Sequence, residues 1–259
     1  MFLKTRTVNV FAFLFVCFFH AGVYASSAEI VALAGDQRMH VQLLAKSYLY
    51  AHGEVFADKA QKNLKNEYRE YGKNNDKLRA LVKGAEHSYA LSRVNVLDKE
   101  FVGLLNSEEY TDNDASIMIG VSEDLAGVYD DIVQKELKKT QDPNIKFLEL
   151  LEQQAMLVAK MAKFYVAYTM GLNDANTLKS IKDSVEKFDR NHKLIIKQKS
   201  KISSSKKDLK KITKTWRTMK GYYTGIEESQ LPAMVMITTD RILKSLGNII
   251  DAFIKQEKL

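Results

Sequence analysis

The residues best placed to do chemistry in this chain gather around Arg38, which stands in the stretch Gly35-Asp36-Gln37-Arg38-Met39. On a helix, steps of three, four and seven from Arg38 reach Ala34, Val41, Gln42 and Ala45. A guanidinium leaving such a small-residue stripe faces neighbouring helices and not open water. Breaking a buried ion pair costs about 3–5 kcal/mol, so Arg38 needs an acid, a carbonyl or a bound anion beside it. Two chemistries meet that need: a structural salt bridge to Asp124 or another acid on a facing helix, or a site for a small anion. Gly35, one turn earlier, lets a helix or ligand approach the backbone, at about 1 kcal/mol of helix propensity.

Other reactive side chains form no recognisable constellation. His40, His52, His87 and His192 lack ligand spacing, and no zinc motif, phosphate loop or nucleophile elbow is present, so neither metal nor cofactor is expected. Asp130-Asp131 and Glu108-Glu109 are adjacent carboxylates, which point in different directions on a helix and do not pair as acid and base. These features read as a non-enzyme. Lysines 197, 199, 201, 206, 207, 210, 211 and 214 surround Ser203-Ser204-Ser205. Such a cluster is either a solvated tip or a dock for anionic lipid head groups. It lacks the interleaved aromatics that stack bases, so nucleic acid is not an expected partner.

The elements that must position Arg38 are helices. Leu178, Ile181, Val185, Phe188, His192 and Ile195 alternate steps of three and four. Leu209, Ile212, Trp216, Met219 and Tyr223 continue that pattern in the next segment, and Leu64, Tyr68, Tyr71, Asn75, Leu78 and Val82 form a similar seam earlier. His192 stands in its seam as Asn75 does in the earlier one, which reads as a satisfied polar layer. Only Pro143 and Pro232 could break helices by removing a donor.

The chain also resembles itself. At an offset of 117 residues, Gln37, Met39, Ala45, Lys46 and Tyr48 fall on Gln154, Met156, Ala162, Lys163 and Tyr165, and Tyr71, Asn74 and Leu78 fall on Phe188, Asn191 and Ile195. A period this long implies a duplicated domain. The expectation is an all-α protein of two tandem up-down four-helix bundles, residues 26–141 and 142–259, each made of four amphipathic segments. The halves diverge at Arg38, whose counterpart is Ala155, and at Gly35, whose counterpart is Glu152.

Residues 1–25 carry Lys4 and Arg6, an apolar run from Val8 to Phe19, and small residues at Val23-Tyr24-Ala25, which together read as a cleavable signal peptide. Its removal takes two bases and no acid, lowering the formal charge from +7 to +5, and takes the single cysteine, Cys17. The expected mature protein is periplasmic and cysteine-free, so its stability rests on its own core.

The pattern Gly35-x-Gln37-Arg38-Met39-x-x-Gln42-x-x-Ala45-Lys46 resembles the N-terminal sensor domain of type IV pili methyl-accepting chemotaxis transducers, the PilJ-type domain related to the nitrate/nitrite sensor NarX. Asp36 stands where the pilus-type motif has a basic residue. The resemblance implies an extracytoplasmic four-helix bundle with a ligand site at Gly35, Arg38, Met39 and Gln42, where Gly35 and Arg38 face an anion. In the sensor relatives that anion lies between identical subunits, so two chains meeting through their first halves would restore a pair of arginines in a homodimer. The functional expectation is a sensor or binding module that recognises a small molecule or anion and acts through a membrane-bound receptor or signalling protein. The alternative is a ligand-free helical adaptor that docks a partner or an anionic membrane.

Overall fold

A computed structural model describes residues 27–53, 55–82, 85–107, 110–172 and 174–259. These residues form helices and their connections, with no strand among them: α1 (Ser27–His52), α2 (Ala57–Leu81), α3 (Ala85–Leu105), α4 (Asp112–Lys139), α5 (Pro143–Thr169), α6 (Ala175–Lys197), α7 (Lys206–Thr224) and α8 (Pro232–Glu257), with a 3₁₀ segment at Lys199–Ser205. The all-α expectation therefore holds. The signal-peptide reading of residues 1–25 lies outside the described residues.

Local chemistry explains where the helices start. Thr111 caps α4 in a reciprocal box with Asp114, satisfying two donors of the first turn. Asp142 accepts from the Asn144 amide and is followed by Pro143 in the first turn of α5, where a missing N–H costs nothing. Asp174 caps α6 by accepting from Thr177, and Pro232 opens α8. Gly171, at φ +92°, turns the chain out of α5 in the left-handed region that glycine enters without strain.

Helices α1 and α5 are the axis of the packing. The two lie against each other; α1 also packs on α2 and α4, and α5 on α6 and α8. Helix α3 lies on α4, and α7 on α8 and α6. Here the structure differs from the expectation of four amphipathic segments per half. Both α1 and α5 are buried on nearly every side, through Val31, Ala34, Gln37, Val41, Leu44, Ala45 and Tyr48 in α1 and Leu148, Leu151, Gln154, Val158, Met161, Ala162 and Tyr165 in α5. A helix surrounded by neighbours has no solvent face to keep polar. The outer helices α6 and α7 bury a single stripe, as their heptads predict: Ile181, Val185, Phe188, His192 and Ile195 in α6 and Leu209, Ile212, Trp216, Met219 and Tyr223 in α7. In α2 the seam is buried only from Tyr71 through Asn75 and Leu78; Leu64 is half-buried and Tyr68 is exposed.

Helix α1 approaches α5 tightly at Gly35, where an added Cβ would lie 2.8 Å from the Cβ of Glu152. Gly35→Ala is therefore expected to lower stability by about 1–3 kcal/mol through overpacking, despite alanine's better helix propensity. At the exposed Gly120 of α4 an added Cβ meets nothing within 4 Å. Gly120→Ala should raise stability by up to about 1 kcal/mol. Urea denaturation of the two variants checks both signs.

Candidate functional site

Arg38 is 1% exposed; acids of the same chain engage both of its terminal nitrogens, while its buried Nε has no hydrogen-bond partner among the described residues. Its two terminal nitrogens meet the Glu149 carboxylate of α5 at 3.0 and 2.5 Å, and one of them also bonds Asp130 of α4. Burial alone would lower the arginine's pKa; attraction and hydrogen bonding from Glu149, then Asp130, outweigh it and raise the value. Of the two chemistries open in the sequence, this geometry is the salt bridge, with Asp130 and Glu149 in place of Asp124. Asp131 turns outward, 62% exposed, as expected of adjacent carboxylates. The α5 helix of the same chain covers this part of α1.

The other expected site residues are divided between two grooves that flank the α1–α5 pair. Gln42 donates to Glu123 of α4 at 2.9 Å and shares a small cleft of about 210 Å³ with Arg38, Asp130 and Lys160. Met39 lies in a different cleft, about 360 Å³, between α1, α2, α5 and α8. Gly35 belongs to neither lining and packs on Glu152.

The two clefts are built from residues 117 positions apart. Arg38, Glu123, Ala126, Asp130, Gln153, Met156 and Lys160 line the first, while Ala155, Asp240, Leu243, Gly247, Asp36, Met39 and Leu43 line the second. Hydrogen bonds repeat with the same spacing. Gln37 donates to the Tyr71 carbonyl and Gln154 to that of Phe188; Asn74 donates to Asp36 and Asn191 to Gln153. Lys46 of α1 reaches across to Asp240 of α8 at 3.4 Å, and Lys163 of α5 reaches across to Glu123 of α4 at 2.7 Å. The Glu123 carboxyl also bonds Lys160. Burial would raise its pKa, but the two lysines prevail and hold it near 2.

The second cleft has an acidic rim and a charged histidine. His40 is bracketed by Glu67 at 2.7 Å and Asp36 at 3.2 Å. Burial disfavours its cation, yet the hydrogen bonds to both acids lift its pKa to about 10. Asp240 serves both Lys46 and Lys59, and Asp251 lines the same space. Glu152 is 3% exposed, lines the cleft, and makes no hydrogen bond or ion pair among the described residues. Its pKa is pushed well above the carboxylate range, first by burial and then by Asp36.

The remaining histidines are engaged elsewhere. His192 bonds Thr213 at 3.0 Å, the satisfied polar layer its seam position implied, and His87 bonds Glu136 at 2.8 Å. Among the described residues no group of three or more His, Cys, Asp or Glu could hold a metal ion. Glu108 and Glu109 lie outside the described residues. Sequence reasoning missed Glu149, Glu152 and the role of Asp130. A signal for Glu152 existed, since it replaces a glycine at the 117-residue offset. The chain matches no protein-family model, no curated protein and no solved structure.

Two outcomes follow from these ion clusters. Arg38→Ala should cost about 3–5 kcal/mol in urea denaturation, because it leaves Glu149 and Asp130 without their counter-charge. Adding Glu149→Gln to that variant should recover part of the loss. For His40, the folded pKa near 10 lies above the ordinary 6.5, so its contribution is fully present below pH 6.5 and lost as pH rises through 10. The stability difference between wild type and His40→Gln should therefore shrink between pH 7 and 10.

Proposed function

We propose that the chain is an exported helical binding module that takes up a small ligand in the cleft beside Met39, His40 and Glu152 and acts through a membrane-bound receptor or signalling protein. The observation that carries this reading is a difference between two related grooves. One is narrowed to about 210 Å³ by Arg38 with Asp130 and Glu149; the other keeps about 360 Å³ of space and a buried carboxyl without a partner. Small-molecule sites usually occupy clefts of roughly 300–1,000 Å³, and this one adds an apolar side of Met39, Leu43, Ala155, Leu243 and Ile250 to a largely charged lining.

The grooves are best understood as products of a tandem duplication, in which residues 26–141 and 142–259 each form an up-down four-helix bundle and α1 meets α5 about an internal pseudo-two-fold axis. Supporting this are the reciprocal lysine bridges, Lys46 to Asp240 and Lys163 to Glu123, and the repeated glutamine and asparagine bonds. Such an arrangement fuses in one chain what the PilJ-type and NarX-like sensors assemble from two subunits. We assign it a binding rather than a catalytic role, in the periplasm, with the export signal at residues 1–25. The anion expected at Arg38 has an internal substitute in the Glu149 and Asp130 carboxylates, so the ligand site moves to the neighbouring cleft.

The helical-adaptor reading has one observation of its own. Lysines 197, 199, 206, 207, 210, 211 and 214 are exposed around the turn between α6 and α7, while Lys201 is tied to Asn144 and the Pro143 carbonyl. A surface of this charge suits an anionic membrane at about 1 kcal/mol per lysine.

Gly247→Leu tests the cleft. Gly247 lines it, and an added Cβ there meets nothing within 4 Å, so a larger side chain can leave the helix at this point and occupy cleft space. The variant should be up to about 1 kcal/mol more stable without ligand, because glycine is a poor helix residue. In a thermal-shift screen of small metabolites, wild type should be stabilised by at least one compound, by about 2.7 kcal/mol at 100 times its Kd, and Gly247→Leu should lose that response. A response kept in full by Gly247→Leu would move the ligand elsewhere.

A further inference from the structure

We propose that the open cleft binds a small organic amine, whose ammonium sits on the carboxylate of Glu152 and whose apolar portion lies on Met39, Leu43, Leu243 and Ile250. This inference rests on the reading of the cleft as a ligand site and names the class of ligand.

Charge sets the sign of the ligand. Apart from the neutral Glu152, the acids Asp36, Glu67, Asp240 and Asp251 line the cleft against two lining bases, His40 and Lys46, with Lys59 as a third base on Asp240. Both bases are already spoken for: His40 lies between Asp36 and Glu67, and Lys46 shares Asp240 with Lys59. An anion entering here would meet excess negative charge and bases whose partners are in place. A cation meets the reverse, with Asp251 at the rim and Glu152 within.

Glu152 supplies the second and independent indication. It is 97% buried, lines the cleft, and has neither hydrogen bond nor ion pair among the described residues. An unpaired buried carboxylate is costly, so the group stays neutral until a cation arrives to share its charge. In the related groove the cation is part of the chain, Arg38 on Glu149 and Asp130. At the corresponding positions this cleft has Ala155 in place of arginine and Gly247 in place of Asp130, which leaves room for a cation from outside.

The walls choose an organic amine over a bare metal ion. Met39, Leu43, Ala155, Leu243 and Ile250 are apolar, whereas a divalent ion wants several oxygens around it. No set of three or more ligating side chains occurs among the described residues.

The test compares hexylamine and 1,6-diaminohexane with hexanoate and 1-hexanol, at equal concentration, by thermal shift and titration calorimetry on the full-length mature chain. The expected result is stabilisation by the amines and not by the acid or the alcohol. Glu152→Gln should weaken amine binding at least tenfold while leaving the ligand-free melting temperature equal or higher, since the amide keeps the packing against Gly35 and removes a buried acid. Gly247→Leu should abolish binding outright. Amine binding undiminished in Glu152→Gln would overturn the proposal. Stabilisation by hexanoate or 1-hexanol that Gly247→Leu removes would also overturn it, while leaving the cleft a ligand site for another class. No response to any of the four probes overturns the amine proposal, and the wider metabolite screen against Gly247→Leu then decides the fate of the cleft itself.

Discussion

The packing of α1 against α5 is the constraint from which the other features descend. At Gly35 the two backbones approach so closely that even a methyl group would collide with Glu152. Neither helix can then keep a polar face, so each must bury what polar groups it has: Gln37, Arg38, Gln42 and Lys46 on α1, and Glu149, Glu152, Gln154 and Lys163 on α5. Buried charges need partners most, and although the side-chain oxygens of Gln37, Gln42 and Gln154 stay unpaired among the described residues, the charged groups reach outward to α4 and α8. Lys46 finds Asp240, Lys163 finds Glu123, and Arg38 finds Asp130 and Glu149. These ion pairs do more to specify which helices meet, and in what register, than to add net stability. The desolvation of two charges consumes most of what their attraction returns.

Glu152 departs from this pattern. Every other buried ionic side chain on the two central helices has a partner of opposite charge, and Glu152 has none among the described residues. Its isolation follows from the same close contact: its counterpart on α1 is Gly35, which offers no side chain, and the arginine one turn on from that glycine points into the other groove. The acid is thus left facing the cleft by the geometry that holds the central helices together. A group of this kind is costly to keep in a protein unless something uses it.

The parts of the fold legible in the sequence were those governed by periodicity. The seams of α6 and α7 lie buried as their three-and-four spacing requires, and Pro143, Pro232, Asp142 and Asp174 open helices as their backbone chemistry dictates. The central helices were harder to read because a helix buried on all sides has no stripe to reveal. The need for a partner at Arg38 could be argued from its small-residue surroundings; the identity of that partner could not. Asp130 and Glu149 lie 92 and 111 residues away, and nothing local distinguishes them from Asp124. The lysine bridges illustrate the same limit. Lys46 and Lys163 stand 117 residues apart, as do Glu123 and Asp240, but each lysine meets the acid from the other half. Only the way the halves are placed together determines that exchange.

On the proposed reading of the chain as a fused pair, asymmetry becomes the useful property. A symmetric dimer must present two copies of every groove, so a residue that closes one closes both. Fusion removes that requirement. Arg38 can narrow one groove with an internal ion cluster and hold α1, α4 and α5 together, while Ala155 and Gly247 leave the other groove wider without costing the first its support. The two tasks of a binding module, a fixed scaffold and a space for the ligand, then fall to opposite sides of one helix pair. A ligand in the open cleft would touch α1, α2, α5 and α8 together, and so would bear on the relative placement of the two halves. That coupling, between a charge seated beside Glu152 and the angle at which α1 crosses α5, is the physical route by which binding could alter a surface presented to a membrane-bound partner.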